Sequence, residues 1–169
     1  KKLAEKLNIE NIVIYEKFQT ALIPFKQIQI EIATARSETY QMDSRKPKIE
    51  STSVAEDLSR RDFTINAIAS SLNEHDYGRL IDPFNGMQDI KRKIIRTPID
   101  TDETLSEDPL RMLRAIRFAA QLNFNIDNDV IRSIKKQYKR LKIISWERIT
   151  EEIIKSLKEK IETYKKVIN

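Results

Sequence analysis

The spacing of apolar residues changes along this chain, and that change constrains the fold more than any other feature. Between residues 27 and 32 isoleucine alternates strictly with polar residues, which predicts a half-buried strand with Glu31 on its polar face. From about Thr101 onward apolar residues recur every three or four positions, as on helices that pack through one face. The sequence therefore predicts an α+β fold, strand-rich at the front and all-helical at the back, with a boundary near residues 96–103.

Three helices are expected in the back part. The first is predicted to be capped by Ser106 with Pro109 in its first turn, where a missing N–H is tolerated. The second starts near Asn128 and the third at Ser145. The residues expected to face inward are Met112, Leu113, Ile116, Ala119, Ala120, Val130, Ile131, Ile134, Tyr138, Trp146, Ile149, Ile153, Leu157, Ile161 and Tyr164.

Local signals also predict where the front part breaks. Ser53 and Glu56 have the spacing of a capping box, which opens a helix. Residues 73–78 are predicted to form a turn between two short strands, and residues 82–86 a second break, because both are rich in Asn, Asp and Gly. The chain has two glycines in all, so it contains no glycine-rich phosphate loop.

Composition narrows the chemistry. The 31 Lys and Arg residues exceed the 26 Asp and Glu residues by five, a small surplus that leans toward an anionic partner such as nucleic acid or nucleotide. The absence of cysteine excludes disulfides, thiolate metal sites and a cysteine nucleophile. No window approaches 18 consecutive apolar residues and no apolar signal-peptide core is present, so we expect no membrane association and a cytoplasmic or organellar location.

Asp108 and Arg111 form the most informative pair, because residues three apart on a helix project into the same small volume. One interpretation is a surface salt bridge worth about 0–1 kcal/mol. The other is a base reader in which the carboxylate accepts from an exocyclic amine and the guanidinium donates to the adjacent ring nitrogen. Cytosine and adenine fit such a pair. Uracil and guanine present the opposite polarity and would leave a buried group unpaired, at a cost of about 1–3 kcal/mol.

Two further groups of polar residues are candidates. The run RRDFTIN at residues 60–66 is suited to a nucleoside triphosphate, because arginines bind phosphate and Asp62 and Asn66 can bind sugar hydroxyls. The alternative is a charge cluster at a helix start, with Asp62 favourable in a first turn. Glu31 is a possible metal ligand, although one carboxylate alone does not make a two-metal site and a solvated residue is the alternative.

Five segments, four of them motifs that follow one another in the family's order, resemble the bacterial-type tRNA nucleotidyltransferase and poly(A) polymerase family, which includes the CCA-adding enzymes. RRDFTINA at residues 60–67 resembles its ribose- and triphosphate-binding motif, and DPFNGMQDI at 82–90 resembles its hinge between head and neck. EDPLR at 107–111 resembles its nucleotide-selecting motif, and ERITEE at 147–152 the neck motif that braces that helix. Residues 30–36 resemble the strand that follows the metal-binding strand.

The resemblance implies a partial nucleotidyltransferase-type head over residues 1–98 and a helical neck over residues 99–169. It implies that Asp108 and Arg111 select the base. It also implies that Arg61, Asp62 and Asn66 bind the ribose and triphosphate, and that Glu31 supports a metal. Arg114 and Arg117 would add positive charge toward the triphosphate or primer, with structural salt bridges as the alternative.

The implied activity is the addition of C and A residues to tRNA 3′ ends from CTP and ATP, with Mg²⁺. A poly(A) polymerase, an enzyme that adds only CC or only A, and a non-catalytic RNA- or nucleotide-binding remnant are the alternatives. The family's Gly-Gly turn and its strand with Asp-x-Asp are absent, and the hinge has Asn85-Gly86 where the family often has two glycines. We therefore expect an internal fragment that is itself inactive.

Overall fold

The computed structural model describes residues 5–6, 9, 12–16, 19–39 and 48–168, of which 36–39, 48–51 and 159–168 are described as backbone. The chain divides into two compact units, Lys1–Asp57 and Leu58–Asn169. The head and neck boundary at residues 98 and 99 is a different division and stays a prediction. No helix among the described residues is long and apolar enough to cross a membrane.

The first unit is built from antiparallel strands. Strands β1 (Val13–Tyr15), β2 (Thr20–Phe25) and β3 (Ile28–Ala33) form one sheet in that order, and β4 (Arg36–Thr39) pairs with β5 (Lys48–Ser51). The alternating run thus forms a strand, as predicted.

The predicted half-burial of this strand is wrong. Ile28 is 62% exposed and Ile32 is exposed as well, whereas Ile23 on β2 is buried. Alternation identifies the apolar face of a strand, but burial needs a second layer against that face, and no described residue covers these two side chains. Glu31 is also exposed.

Helix α1 (Val54–Ser59) contains the boundary between the two units. Its capping box is confirmed, because the backbone N–H of Glu56 donates to Ser53 Oγ and the backbone N–H of Ser53 donates to Glu56 Oε2, both at 3.2 Å. These bonds satisfy donors that the first helical turn leaves open.

The second unit is mainly helical. Its helices are α2 (Gly86–Arg92), α3 (Thr101–Glu107), α4 (Leu110–Leu122), α5 (Asn128–Gln137) and α6 (Trp146–Ile168). Strand β6 (Ala69–Ser70) pairs antiparallel with β7 (Leu80–Ile81), and β8 (Ile94–Ile95) pairs parallel with β9 (Asn125–Ile126). Short 3-10 helices span Thr64–Asn66, Glu74–Asp76 and Tyr138–Ile143. The turn predicted at residues 73–78 therefore joins two short strands, as expected.

The core of this unit joins segments that are distant in sequence. Phe63, Ile95, Ala115 and Val130 are fully buried in one cluster. The ring of Phe63 meets that of Phe118 edge to face, with centroids 5.9 Å apart, a favoured aromatic arrangement. Burial of Phe63 therefore anchors residues 60–66 against helix α4.

The break at residues 82–86 has a specific geometry. The carboxylate of Asp82 accepts from the backbone N–H groups of Gly86 at 2.7 Å and Met87 at 2.9 Å. Asn85 adopts the left-handed conformation with φ 60°, which Asn tolerates better than most residues other than Gly. A Cβ on Gly86 would lie 2.1 Å from the carbonyl oxygen of Thr64. The break at residues 82–86 therefore needs glycine at position 86, whereas Asn suffices at position 85.

A buried carboxylate ties this hinge to the segment that carries Phe63. Asp89 is almost fully buried, and it accepts from Thr64 Oγ1 at 2.7 Å and from Arg96 Nε at 3.0 Å. Arg96 also donates to the carbonyl oxygen of Phe84 at 3.1 Å. A buried charge is tolerated when it is paired and hydrogen-bonded in this way.

Ser106 does not cap a helix, so that prediction is wrong. It lies in the last turn of α3, which begins instead after Asp100, whose Oδ1 accepts from the backbone N–H of Glu103 at 2.9 Å. Pro109 stands at the start of α4 with φ −59°, as its fixed φ favours. The capping acceptor there is Asp108, whose Oδ1 accepts from the backbone N–H of Leu110 at 3.2 Å.

The predicted inward faces are only partly correct. Met112 and Val130 are buried, and Leu113, Ala119, Ile134 and Ile149 are half-buried. The predicted inward residues that are exposed instead are Ile116, Ala120, Ile131, Tyr138, Trp146, Ile153 and Leu157. The side chains of Ile161 and Tyr164 lie outside the described ones. Helical periodicity predicts that the most apolar face of a helix is buried. On α6, however, the polar residue Glu152 is buried, and it forms ion pairs with Arg114 and Arg117 of α4.

Candidate functional site

A cleft of about 540 Å³ opens in the second unit. Residues 60–66, the junction between α3 and α4, and helix α4 supply its walls. The lining side chains are Arg60, Arg61, Asp62, Asn66, Asp108, Arg111, Arg114 and Phe118. Four arginines against two aspartates leave a surplus of positive charge, which attracts anionic ligands.

Asp62 lines this cleft, and its carboxylate accepts four hydrogen bonds. Oδ1 accepts from the backbone N–H of Phe63 at 2.8 Å and from Asn66 Nδ2 at 3.0 Å. Oδ2 accepts from Arg114 Nε at 2.8 Å and from Arg114 Nη2 at 2.5 Å. Asp62 is 8% exposed, and these four bonds account for the roughly four lone-pair sites of a carboxylate.

Arg114 connects this carboxylate to helix α6. Its Nη1 lies 3.6 Å from Oε1 of Glu152, and Arg117 donates from Nε to Oε2 of the same carboxylate at 2.7 Å. Both guanidinium groups also approach the ring of Phe118, at 5.2 and 4.1 Å from its centroid, within cation–π range. Arg114 and Arg117 are thus held in ion pairs, the arrangement of the structural alternative, and a role toward triphosphate stays a prediction.

Glu152 is 3% exposed and stays charged because of these partners. Burial by itself would raise the pKa of its carboxyl group, but the hydrogen bond from Arg117 and the charges of Arg117 and Arg114 outweigh it and lower that pKa. The segment at residues 147–152 thus contacts helix α4 through Glu152, as expected.

Arg111 is held by groups on two sides of the cleft. Its Nη1 donates to the carbonyl oxygen of Thr104 at 3.0 Å and to Glu107 Oε2 at 3.2 Å, and its Nη2 donates to the carbonyl oxygen of Arg60 at 2.6 Å. Three of five guanidinium N–H groups are thereby used within the described residues. The guanidinium is oriented firmly and keeps donors for another acceptor.

Asp108 and Arg111 share the cleft. The backbone N–H of Arg111 donates to the carbonyl oxygen of Asp108 at 3.0 Å, but among the described residues no hydrogen bond or ion pair joins their side chains. Asp108 Oδ2 instead accepts from Arg148 Nη2 at 3.0 Å, while Oδ1 caps α4. The interpretation of Asp108 and Arg111 as a surface salt bridge is therefore wrong. The carboxylate retains acceptor capacity beside a donor of opposite polarity, which is the requirement of a base reader.

The described residues do not form a metal site. They contain no group of three or more His, Cys, Asp or Glu residues that could hold a metal ion, and Glu31 lies in the first unit. The Asp-x-Asp at residues 100–102 has another function, since Asp100 caps α3 and Asp102 is hydrogen-bonded by Lys136.

Sequence reasoning missed two of the residues that organise the cleft. The sequence does not single out Phe118, although an aromatic residue next to Arg117 is a sign of cation–π packing. Glu152 was included only as part of a motif, because nothing in the local pattern marks one glutamate of α6 for burial.

The comparisons with known proteins agree with this arrangement. A family model described as "Poly A polymerase head domain" matches residues 1–96. The chain belongs to this family. A second model, "Probable RNA and SrmB- binding site of polymerase A", matches residues 123–161 of the same poly(A) polymerase-type chain.

Curated relatives of this poly(A) polymerase-type chain are named as nucleotide-adding enzymes. It is 44% identical over 138 residues to an A-adding tRNA nucleotidyltransferase of Aquifex aeolicus (strain VF5), covering 80% of this chain and 16% of the relative. It is 45% identical over 127 residues to a CCA-adding enzyme of Lactobacillus helveticus (strain DPC 4571), covering 74% and 31%. The chain thus spans less than a third of either relative.

Solved structures extend the agreement to the fold. One is described as tRNA nucleotidyltransferase complexed with a primer tRNA and an incoming ATP analog, with a TM-score of 0.79, 38% identity, and coverage of 98% of this chain and 47% of that one. Another is the Bacillus stearothermophilus CCA-adding enzyme in complex with CTP, with a TM-score of 0.75, 35% identity, and coverage of 88% and 35%. The predicted fold class, a nucleotidyltransferase-type α+β fold, is confirmed.

Proposed function

We propose that this chain is the nucleotide-selecting part of a template-independent tRNA nucleotidyltransferase that adds C and A residues to tRNA 3′ ends from CTP and ATP. The observation that carries the proposal is the cleft that the side chains of Asp108 and Arg111 both line without a hydrogen bond or ion pair between those side chains. Family membership and the names of the relatives support it. We assign residues 1–98 to the head and 99–169 to the neck, because the head-domain family model ends at residue 96.

Base selection follows from hydrogen-bond polarity. The Asp108 carboxylate accepts from N4 of cytosine or N6 of adenine, and Arg111 donates to N3 or N1 of the same ring. Arg148 and the cap at Leu110 orient the carboxylate, and the carbonyl oxygens of Thr104 and Arg60 orient the guanidinium. Uracil and guanine would place like groups opposite each other, so the protein selects C and A without a template.

The same cleft would bind the rest of the nucleotide. Arg61 provides positive charge for the triphosphate, and Asp62 and Asn66 are assigned to the ribose because they line the same cleft. A primer 3′ end and the nucleotide must meet here for transfer. We place this activity in the cytoplasm, since relatives act on tRNA by name.

We assign Mg²⁺ as the metal of the intact enzyme and Glu31 as a carboxylate that supports it. Phosphoryl transfer requires charge neutralisation at the reacting phosphate, which a bound divalent ion supplies. The described residues contain no group of three or more acidic or histidine side chains that could hold this metal by themselves. The 169-residue chain alone is expected to bind nucleotides and to transfer none.

A titration of the chain with ATP, CTP, UTP and GTP tests the proposal. We expect ATP and CTP to bind at least about fivefold more tightly than UTP and GTP, as an unpaired polar group costs about 1–3 kcal/mol. Asp108→Ala should remove this preference, and Asp129→Ala, an exposed aspartate on α5, should leave it unchanged. Equal binding of all four nucleotides to the unaltered chain would contradict base selection.

One alternative has direct support, because the Aquifex relative is named A-adding. An enzyme that adds only A would bind ATP in preference to CTP as well as to UTP and GTP. The same titration separates the two functions, since a C- and A-adding site binds both CTP and ATP.

A further inference from the structure

Asn85-Gly86 is the single Asn-Gly dipeptide of the sequence, and neither residue lines the cleft. In such a pair the backbone nitrogen of glycine can attack the side-chain amide carbon of asparagine, because glycine has no Cβ to obstruct the approach. The new C–N bond closes a succinimide ring, and the side-chain nitrogen leaves as ammonia with the proton that the backbone nitrogen gives up. Water then opens the ring to aspartate or isoaspartate, so a carboxylate replaces the amide.

The backbone geometry of the folded chain opposes this attack. The ψ angle of Asn85 is 34°, which places the Gly86 nitrogen nearly opposite the Asn85 Cβ across the Cα–C bond. Ring closure requires those two atoms to lie on the same side of that bond, because a reaction within one chain proceeds only when the reacting atoms are held close together. The peptide group between the two residues would therefore have to turn over before the reaction could occur.

Three hydrogen bonds hold that peptide group in place. The backbone N–H of Gly86 donates to Asp82 Oδ1 at 2.7 Å. The carbonyl oxygen of Asn85 accepts from the backbone N–H groups of Gln88 and Asp89, both at 3.1 Å. A rotation of the peptide group would break all three bonds. The Asp82 carboxylate also opposes the attack directly, because its negative charge disfavours removal of the proton from the Gly86 nitrogen.

We propose that Asn85 is a deamidation site which the Asp82 carboxylate protects in the folded chain, and that it reacts only when the break at residues 82–86 opens. Segments of native proteins open locally without global unfolding. The isoaspartate product has one extra carbon in the backbone, so the close packing of Gly86 against Thr64 is not restored and the opening becomes permanent. The inference is independent of the proposed nucleotide site.

The first test follows deamidation of Asn85 in the full 169-residue chain by peptide mapping and mass spectrometry at neutral pH. The folded chain should react at least about tenfold more slowly than the same chain unfolded in guanidinium chloride. That ratio is the one expected if a single hydrogen bond to a charged group had to break. Equal rates in the folded and unfolded chain overturn the proposal.

Variants of Asp82 test the protecting group. Asp82→Asn keeps the shape of the side chain but removes its charge, and Asp82→Ala removes the acceptor altogether. Deamidation of either folded variant should be at least about tenfold faster than that of the unaltered chain. Asp129→Ala, which changes an exposed aspartate on α5, is the matched control and should leave the rate unchanged. Circular dichroism verifies that each variant is folded. Asp82 variants that react no faster than Asp129→Ala overturn the proposal.

Hydrogen exchange provides a measurement that needs no variant. Exchange of the Gly86 amide proton and attack by the Gly86 nitrogen both require the N–H group to be released from Asp82. The Gly86 amide of the unaltered chain should therefore exchange at least about tenfold more slowly than in the unfolded chain, and opening should limit both reactions. A Gly86 amide that exchanges as fast as in the unfolded chain overturns the proposal.

Discussion

The two acidic side chains of the cleft differ in how completely the protein uses them. Asp62 is 8% exposed and carries four hydrogen bonds from three residues. Asp108 is half-buried, accepts one backbone N–H and one arginine, and keeps acceptor capacity toward the cleft. The difference separates two states of a carboxylate: a saturated one holds its neighbours in place, and an unsaturated one has acceptor capacity left for a ligand.

The largest expected effect is a loss of stability on removal of Glu152, the carboxylate that lies against the Asp62 partner Arg114. Glu152→Ala would leave Arg114 and Arg117 without their shared buried carboxylate, which we expect to lower the free energy of unfolding by about 3 kcal/mol. Urea unfolding measures it. Glu151→Ala, the exposed neighbour on α6, should change stability by less than about 0.5 kcal/mol. Equal effects of the two substitutions would show that the buried ion pairs contribute nothing particular.

The second-largest effect on stability is expected at Gly86, which packs against the backbone of Thr64, in the segment that carries Asp62. Gly86→Ala places a Cβ 2.1 Å from the carbonyl oxygen of Thr64, so the segment that carries Asp62 or helix α2 must move. We expect a loss of about 1–3 kcal/mol of unfolding free energy, typical of overpacking. Gly78→Ala is a useful contrast, because its φ of +82° strains the backbone but its surroundings are open. Only Gly86→Ala should also weaken ATP binding.

A smaller stability effect is expected on the Asp108 side. Asp108→Ala removes the capping acceptor of α4 and one partner of Arg148, at about 1 kcal/mol. Its effect on base preference should be complete, whereas its effect on the midpoint of unfolding should be small. A loss of stability as large as that of Glu152→Ala would contradict the distinction between the two carboxylates.

The smallest effect is a pH dependence away from the cleft. The hydrogen bonds from Lys136 and Ser133 lower the pKa of Asp102 from 3.8 to about 2. A carboxyl whose pKa is lowered in the folded state stabilises the fold above pH 3.8, and that contribution is lost as the pH falls toward 2. Lys136→Ala should raise the pKa of Asp102 toward 3.8, as read from carboxyl chemical shifts by NMR, with Lys135→Ala as the control. An unchanged pKa would contradict the ion pair.

Features of the fold that depend on residues close together in the sequence were predictable. The capping box at Ser53 and Glu56 and the strand at Ile28–Ala33 are encoded within a few residues, since capping and alternation are local. The turn at residues 73–78 is of the same kind. The face of a helix was less predictable: α6 carries an apolar stripe, yet Trp146 is 73% exposed and Glu152 is 3% exposed.

The residues of the cleft were predictable in the same limited sense. Motif order pointed to Arg61, Asp62, Asn66, Asp108 and Arg111, and all five line one cleft. Their partners could not be predicted, because Arg114 reaches Asp62 across 52 positions and Arg148 reaches Asp108 across 40. No local pattern encodes which arginine a carboxylate will meet.

The sequence by itself determined the α+β class, the family and the chemical types of the site residues, because periodicity, turns and short motifs act over a few positions. Only the tertiary structure decided that Asp62 is saturated and that Asp108 is not. The physical reason is that hydrogen-bond capacity is divided among groups that folding brings together, and a buried carboxylate binds every donor within reach. Which acceptor remains for a ligand is therefore a property of the assembled cleft.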